Sequence, residues 1–317
     1  MRESPLGRAL TRIGGIYFSY LLWFFLFQLI ILTFITYFLI SPSSRVPKLQ
    51  EISEVVLSNQ IPVAAVGAAL FVTFLTLIRP YLVRDARQDL LHWDELRRFY
   101  FPAMLGGTVL GAGLTLALFL SGHYRFLGTT LHFEEAVSII AGVLAKSSML
   151  ALLVYCEEYL FRKKLLEAVR RHVPDLYAAA FCAILFCGAK ALQFQLGVMQ
   201  VTTLFLAGLW LGLKACADRQ FQGGAGFWTA FLVLLHAILG LPILGNDANG
   251  IFLIKYSSTT EAIWSAWGAD SRTTLFLTGG IGGPLSSFAV QIILLMQSIR
   301  ILVKNHGIGR ILKNAHD

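Results

Sequence analysis

The sequence predicts an all-α integral membrane protein, a polytopic bundle of about eight transmembrane helices with both termini in the cytoplasm. Three observations predict it. First, 56% of the 317 residues are hydrophobic and only 14% are charged, where a soluble domain carries about 25% charged residues. A water-soluble core of this length has no room for that much apolar surface. Second, apolar runs long enough to span a bilayer, about 20 residues, recur along the whole chain. Third, the cations are asymmetric. With the N-terminus inside, 19 of the 26 Lys and Arg fall in inside segments and five in outside segments, as the positive-inside rule requires. The net charge of +8 follows from those basic inner loops. No Lys/Arg-rich arm with interleaved aromatics accompanies it, which excludes nucleic acid as a partner.

The elements follow in order. "MRESPLGRALTRIGG" is basic and precedes about 27 apolar residues. That run is too long for a signal-peptide core and no small-x-small site follows it, so 14–41 is an uncleaved first span. Further spans are expected at 61–78, 99–121, 136–160, 176–197, 199–217, 227–241 and 273–296. The fifth and sixth are separated only by "QLGVMQ", and the seventh, "FWTAFLVLLHAILGL", is short, with extension open at either end. The eighth contains "TGGIGGPLSS", where Pro284 is expected to kink it. Residues 242–272 form the longest outside loop, and 297–317 a basic cytoplasmic tail. One membrane domain covers the chain, in three parts: N-terminal helices over 1–135, a core over 136–242, and the loop, last helix and tail over 243–317. Gly107/Gly111, Gly208/Gly212 and Gly279/Gly283 are small-xxx-small pairs that let helices approach closely, or are ordinary transmembrane glycines. Cys156, Cys182, Cys187 and Cys216 all lie in apolar runs and read as small core residues rather than a disulfide framework.

Ionisable residues inside a span cost a few kcal/mol each and point to the bundle interior or to a site. Five occur here: Lys146, Glu157, Glu158, Lys190 and His236. Glu158 and Arg162 are one helical turn apart and can pair along one face. Glu157 points about 100° away, toward Phe161 and Lys164. Adjacent carboxylates repel unless each has a partner or one is protonated. The pair reads either as a solvated helix end or as a desolvated site in which one carboxylate acts as general base. His236 reads either as a histidine bonded to a neighbouring helix or as an oxyanion donor or metal ligand. Lys146 and Lys190 either extend outward along their stems or take part in the site.

These residues carry a resemblance. "EEYLFR" (157–162) resembles the first motif of the CPBP family, the CAAX-protease and bacteriocin-processing intramembrane proteases: two glutamates, then an arginine usually preceded by Phe. "FCGAK" (186–190) stands in the place of that family's Phe-x-x-x-His motif. "FLAGLWLG" (205–212) is similar to its Phe-x-x-Gly-x-x-x-Gly helix, and "HAILG" (236–240) stands in the place of His-x-x-x-Asn. The resemblance covers about 140–242. Two positions depart from it: Lys190 replaces the first histidine and Gly240 the asparagine.

The resemblance implies an intramembrane endopeptidase of glutamic type, hydrolysing a membrane-associated protein or peptide with a water activated by Glu157. Lys190 would stand in for the first histidine and His236 would donate to the oxyanion. Glu158 and Arg162 would position the site, with Phe186, Phe205, Gly208 and Gly212 packing the helices. No cofactor is implied. A divalent ion stays open, although a protonated lysine is a poor ligand. Lipid is the other partner, the bacterial inner membrane the expected location, and the oligomeric state is not implied. Two rivals remain: a member of the same fold that has lost catalysis and binds a partner in processing, sorting or immunity, and a transporter whose Glu, Lys and His line a polar path. Depth sets a constraint on all three. By these span boundaries Glu157 lies about 6 Å from the inner edge, His236 about 15 Å and Lys190 about 21 Å. One site requires either a later end to the fourth span, near Arg170, or helix tilt.

Overall fold

The computed structural model describes residues 5–34, 93–131, 136–193, 196–241, 250–256 and 283–304, with two isolated positions at 66 and 69. Helix α1 runs Pro5–Phe34 and α2 Trp93–Leu120. Strand β1 (Tyr124–Thr129) follows, then α3, Ala136–Arg170. Next come α4 (Asp175–Gln193), α5 (Val198–Asp218) and α6 (Gln222–Ile238). Strand β2 (Phe252–Tyr256) and α7 (Phe288–Lys304) complete the described chain. Among the described residues, five helices are long and apolar enough to cross a membrane: within α1, and α2, α3, α4 and α5. The expected span at 61–78 lies outside the described residues.

Two expectations are corrected, the end of the fourth span and the kink at Pro284. The fourth span does not stop at 160, because α3 continues to Arg170. Its last turns carry a Lys163–Glu167 ion pair at 3.0 Å one turn apart, and Leu165, Leu166 and Val169 stay buried on the other side. The short seventh segment extends at its start, to Gln222, as an apolar helix of 17 residues. Gly224 and Gly226 are helical there and sit against Leu211 and the Tyr100 backbone. Among the described residues Pro284 is not inside a helix: it opens a short 3₁₀ turn, Pro284–Ser286, ahead of α7, and 273–282 lie outside them. The start of the basic tail continues α7 to Lys304. One feature was not expected. β1 pairs antiparallel with β2, with an irregularity between Phe126 and Gly128. This small sheet ties the segment after α2 to the segment after α6, at the opposite end of α3 from the α3–α4 turn.

Helix packing decides what comes together. Lipid tails are as apolar as Leu, so association relies on close van der Waals fit and on buried polar contacts. Two glycine pairs supply the fit. Gly208 and Gly212 bring α5 against Ala183 and Ala179 of α4, where an added Cβ would meet them at 3.2 and 3.0 Å. Gly107 and Gly111 bring α2 against α6, and a Cβ on Gly107 would fall on the Phe227 carbonyl. The outward surfaces are apolar, as bilayer contact requires: Phe18, Phe25, Leu105, Val109 and Leu116 are all exposed. Helices α2, α3 and α6 each contain a π-helical stretch, at Leu96–Tyr100, Tyr159–Leu165 and Val233–Ile238. Such stretches shift the phase of the helix that follows and often occur at functional sites.

The close α2–α6 approach gives a test. Gly107→Ala is expected to cost roughly 1–3 kcal/mol by overpacking and to lower the thermal midpoint of the detergent-purified protein. Gly113→Ala, on the same helix with nothing within 4 Å of the added Cβ, should leave it unchanged. Equal midpoints for the two variants would refute the packing described.

Candidate functional site

The α3–α4 hairpin sets the depth of the site. Glu157 lies thirteen residues before Arg170, the end of α3, and Lys190 fifteen residues after Asp175, the start of α4. Each is therefore about 20 Å from the hairpin turn at 1.5 Å per residue. The later end of α3 removes the depth mismatch that the shorter span created. The turn itself is clamped by a bidentate pair, Arg170 Nε and Nη2 donating to Asp175 Oδ1 and Oδ2 at 2.7 and 3.0 Å.

Lys190 Nζ donates to Glu157 Oε1 at 2.5 Å, and the Tyr20 hydroxyl of α1 donates to the same oxygen at 2.7 Å. All three residues are buried. Lys190 therefore turns inward rather than extending toward the membrane surface. The pair is enclosed by aromatic rings. Tyr20 meets Phe161 edge-on at 5.3 Å, Phe161 meets Phe186 at 5.4 Å, and Lys190 Nζ lies 5.7 Å from the Phe186 centroid. A charge taken out of water is tolerable here because its counter-charge and a second donor are both in contact with it.

The second glutamate has its own cation. Arg162 Nε is 3.5 Å from Glu158 Oε2, as the spacing of one turn predicts. The guanidinium lies over Phe186 at 5.0 Å and near Phe161 at 5.8 Å, in favourable cation–π range. Gly208 makes room for it: a Cβ there would stand 3.4 Å from Arg162 Nη2. Phe186 and Gly208 thus line the Arg162 niche, Gly212 packs on Ala179 one turn further along α5, and Phe205 packs on the same hydrophobic cluster. Arg162 is 2% exposed, and its three guanidinium nitrogens have no geometrically good hydrogen bond among the described residues. Its pairing is electrostatic rather than directional.

His236 is grouped elsewhere. Its Nδ1 donates to the Leu241 carbonyl at 3.4 Å, and the charge that bears on it is that of Lys146. Lys146 precedes Glu157 by eleven residues, about 16 Å along α3. A neutral imidazole whose proton is on Nδ1 presents Nε2 as an acceptor, which is the wrong polarity for an oxyanion. Gly240 has φ +63°, and a Cβ there would meet the Phe252 carbonyl at 2.7 Å and the Gly250 nitrogen at 3.0 Å. The backbone after α6 is folded tightly onto the β2 segment, which leaves no space for an asparagine. Among the described residues no three His, Cys, Asp or Glu converge as a metal group. The four cysteines are buried and free.

Compared with known protein families, with characterised proteins and with solved structures, the chain matches none.

Tyr20 is the member of the site that sequence reasoning missed. Its signal was a tyrosine in the middle of "IYFSYLLWFF", since a buried hydroxyl in an apolar run needs a partner. Nothing in the sequence assigned that partner across 137 residues.

The ion pair gives a double-mutant test. Lys190→Ala leaves Glu157 buried with one donor, and breaking such a pair typically costs about 3–5 kcal/mol. Glu157→Gln with Lys190→Met removes both charges and is expected to recover most of that loss in thermal unfolding of the purified protein. A double variant no more stable than Lys190→Ala would show that the pair is not what stabilises the α3–α4 interior.

Proposed function

We propose that this chain is a CPBP-like membrane helix bundle that holds a membrane-associated protein or peptide without cutting it. In this reading a Glu157–Lys190 pair has replaced the water-activating glutamate–histidine pair. The observation that carries it is the 2.5 Å contact from Lys190 to Glu157 Oε1, with Tyr20 on the same oxygen. A general base has to present a carboxylate oxygen to water within hydrogen-bond reach. Here protein donors occupy Oε1 from two sides, which leaves at most Oε2 to meet a water. The hydrogen bond of His236 Nδ1 to the Leu241 carbonyl adds to it, because a neutral imidazole so bonded offers Nε2 as an acceptor where hydrolysis requires a donor to the oxyanion. The same reading has about eight spans, both termini in the cytoplasm and residence in a bacterial inner membrane. It rests on the motif order and on the cation distribution.

A second reading, a glutamic intramembrane protease, has one observation in its favour. Lys190, at the position of the family's first histidine, does reach the first glutamate. A lysine able to deprotonate in a buried site could then share a proton with Glu157.

Sequencing of new protein termini in membranes separates the two. Membranes from cells expressing the wild type, Glu157→Gln and Lys190→His are compared, and a binding partner is followed through purification in mild detergent. The expected result is one set of termini for wild type and Glu157→Gln, with the same membrane partner retained by both. Fragments present with the wild type and absent with Glu157→Gln would overturn the non-hydrolytic reading and establish the protease.

A further inference from the structure

The inner end of the α3–α4 hairpin stands beyond the hydrocarbon. At 35 residues, α3 is about 52 Å long, against about 30 Å of bilayer core. The overhang carries Lys163, Lys164, Glu167 and Arg170, and Arg171 opens the turn. At that level a cleft of about 350 Å³ opens between the two helices, lined by Glu167, Arg170, Arg171, Val173, Pro174 and Asp175.

Two carboxylates and two guanidiniums line it, and Lys163, paired with Glu167, adds a third cation to the group. Asp175 is taken by Arg170 and Glu167 by Lys163. Arg171 is exposed and has no ion pair among the described residues. The cleft therefore offers one uncommitted guanidinium at headgroup depth. A second feature leads away from it into the membrane. Tyr177, Phe181 and Ile184 of α4 are exposed at 57%, 39% and 58%, and their spacing of four and three residues puts them on one helix face. This stripe starts half a turn past Asp175. An occupant of the cleft and stripe together needs an anionic head and an apolar tail continuous with it, at the membrane boundary where Tyr is favoured.

We propose that this cleft binds the headgroup of an anionic phospholipid, with Arg171 on its phosphate and an acyl chain along Tyr177, Phe181 and Ile184. Basic recesses between transmembrane helices on the cytoplasmic side recognise such headgroups, and the cation distribution places this end inside. The site is separate from Glu157, about 20 Å along the hairpin, and its occupation does not depend on whether the chain hydrolyses a substrate.

Native mass spectrometry of the full-length protein in detergent tests this, with short-chain phosphatidylglycerol, phosphatidylcholine of the same chain length, and inorganic phosphate as separate probes. Phosphatidylglycerol is expected to bind, with phosphatidylcholine at least several-fold weaker. Arg171→Ala should weaken phosphatidylglycerol roughly tenfold, the loss of one charge-assisted hydrogen bond, and Arg171→Lys should recover most of it. Phe181→Ser should weaken the lipid while Arg98→Ala, a cation of α2 outside the cleft, changes nothing. Equal affinity for phosphatidylcholine, no effect of Arg171→Ala, or displacement of the lipid by inorganic phosphate would each overturn the proposal.

Discussion

An ionised carboxylate inside a helix bundle has to be met by a cation, and Glu157 is met by Lys190 at 2.5 Å. The low dielectric that makes this contact strong also makes either partner alone expensive. Three helices are fixed by it. Helix α3 brings Glu157, α4 brings Lys190, and α1 brings the Tyr20 hydroxyl. A hairpin whose turn is clamped by Arg170 and Asp175 delivers the two charges at equal depth, so register and electrostatics support each other.

The neighbouring pair follows from the same constraint. With Glu157 committed to Lys190, Glu158 needs a different cation, and Arg162 supplies it one turn on. A guanidinium is bulky, and its planar faces prefer aromatic rings to lipid. Phe161 and Phe186 give it those rings, and Gly208 removes the side chain that would occupy its place on α5. Three of the four motif-like sequence elements, 157–162, 186–190 and 205–212, thus have a physical reason to occur together, whatever the chemistry: two buried glutamates, two buried cations and the small and aromatic residues that enclose them.

Much of this was legible in the sequence, because transmembrane helices announce themselves by hydropathy and because an i, i+4 pair such as Glu158–Arg162 is fixed by helix geometry. Helix ends were the weak point. A change from apolar to charged at Arg162–Lys164 marks the membrane boundary and not the end of the helix, since backbone hydrogen bonding continues in water. That confusion ended α3 at 160, ten residues short of Arg170. The start of α6 was open for a related reason: the glycines of "GGAG" have low helix propensity, and they are helical where Tyr100 and Leu211 pack against them. Contacts across long separations, Tyr20 to Glu157 above all, leave only the trace of a polar atom in an apolar run.

The placement of His236 follows from a separate packing constraint. Nδ1 is turned to the Leu241 carbonyl, and the residue four positions on is a glycine in a left-handed turn pressed against β2, where no amide side chain could reach back. Gly240 lets the chain after α6 close onto the small sheet, while Lys190 and Tyr20 close on Glu157 Oε1. The polar interior thus contributes to the fold through two sets of contacts, one that fixes α1, α3 and α4 to each other and one that ties the end of α6 to β2.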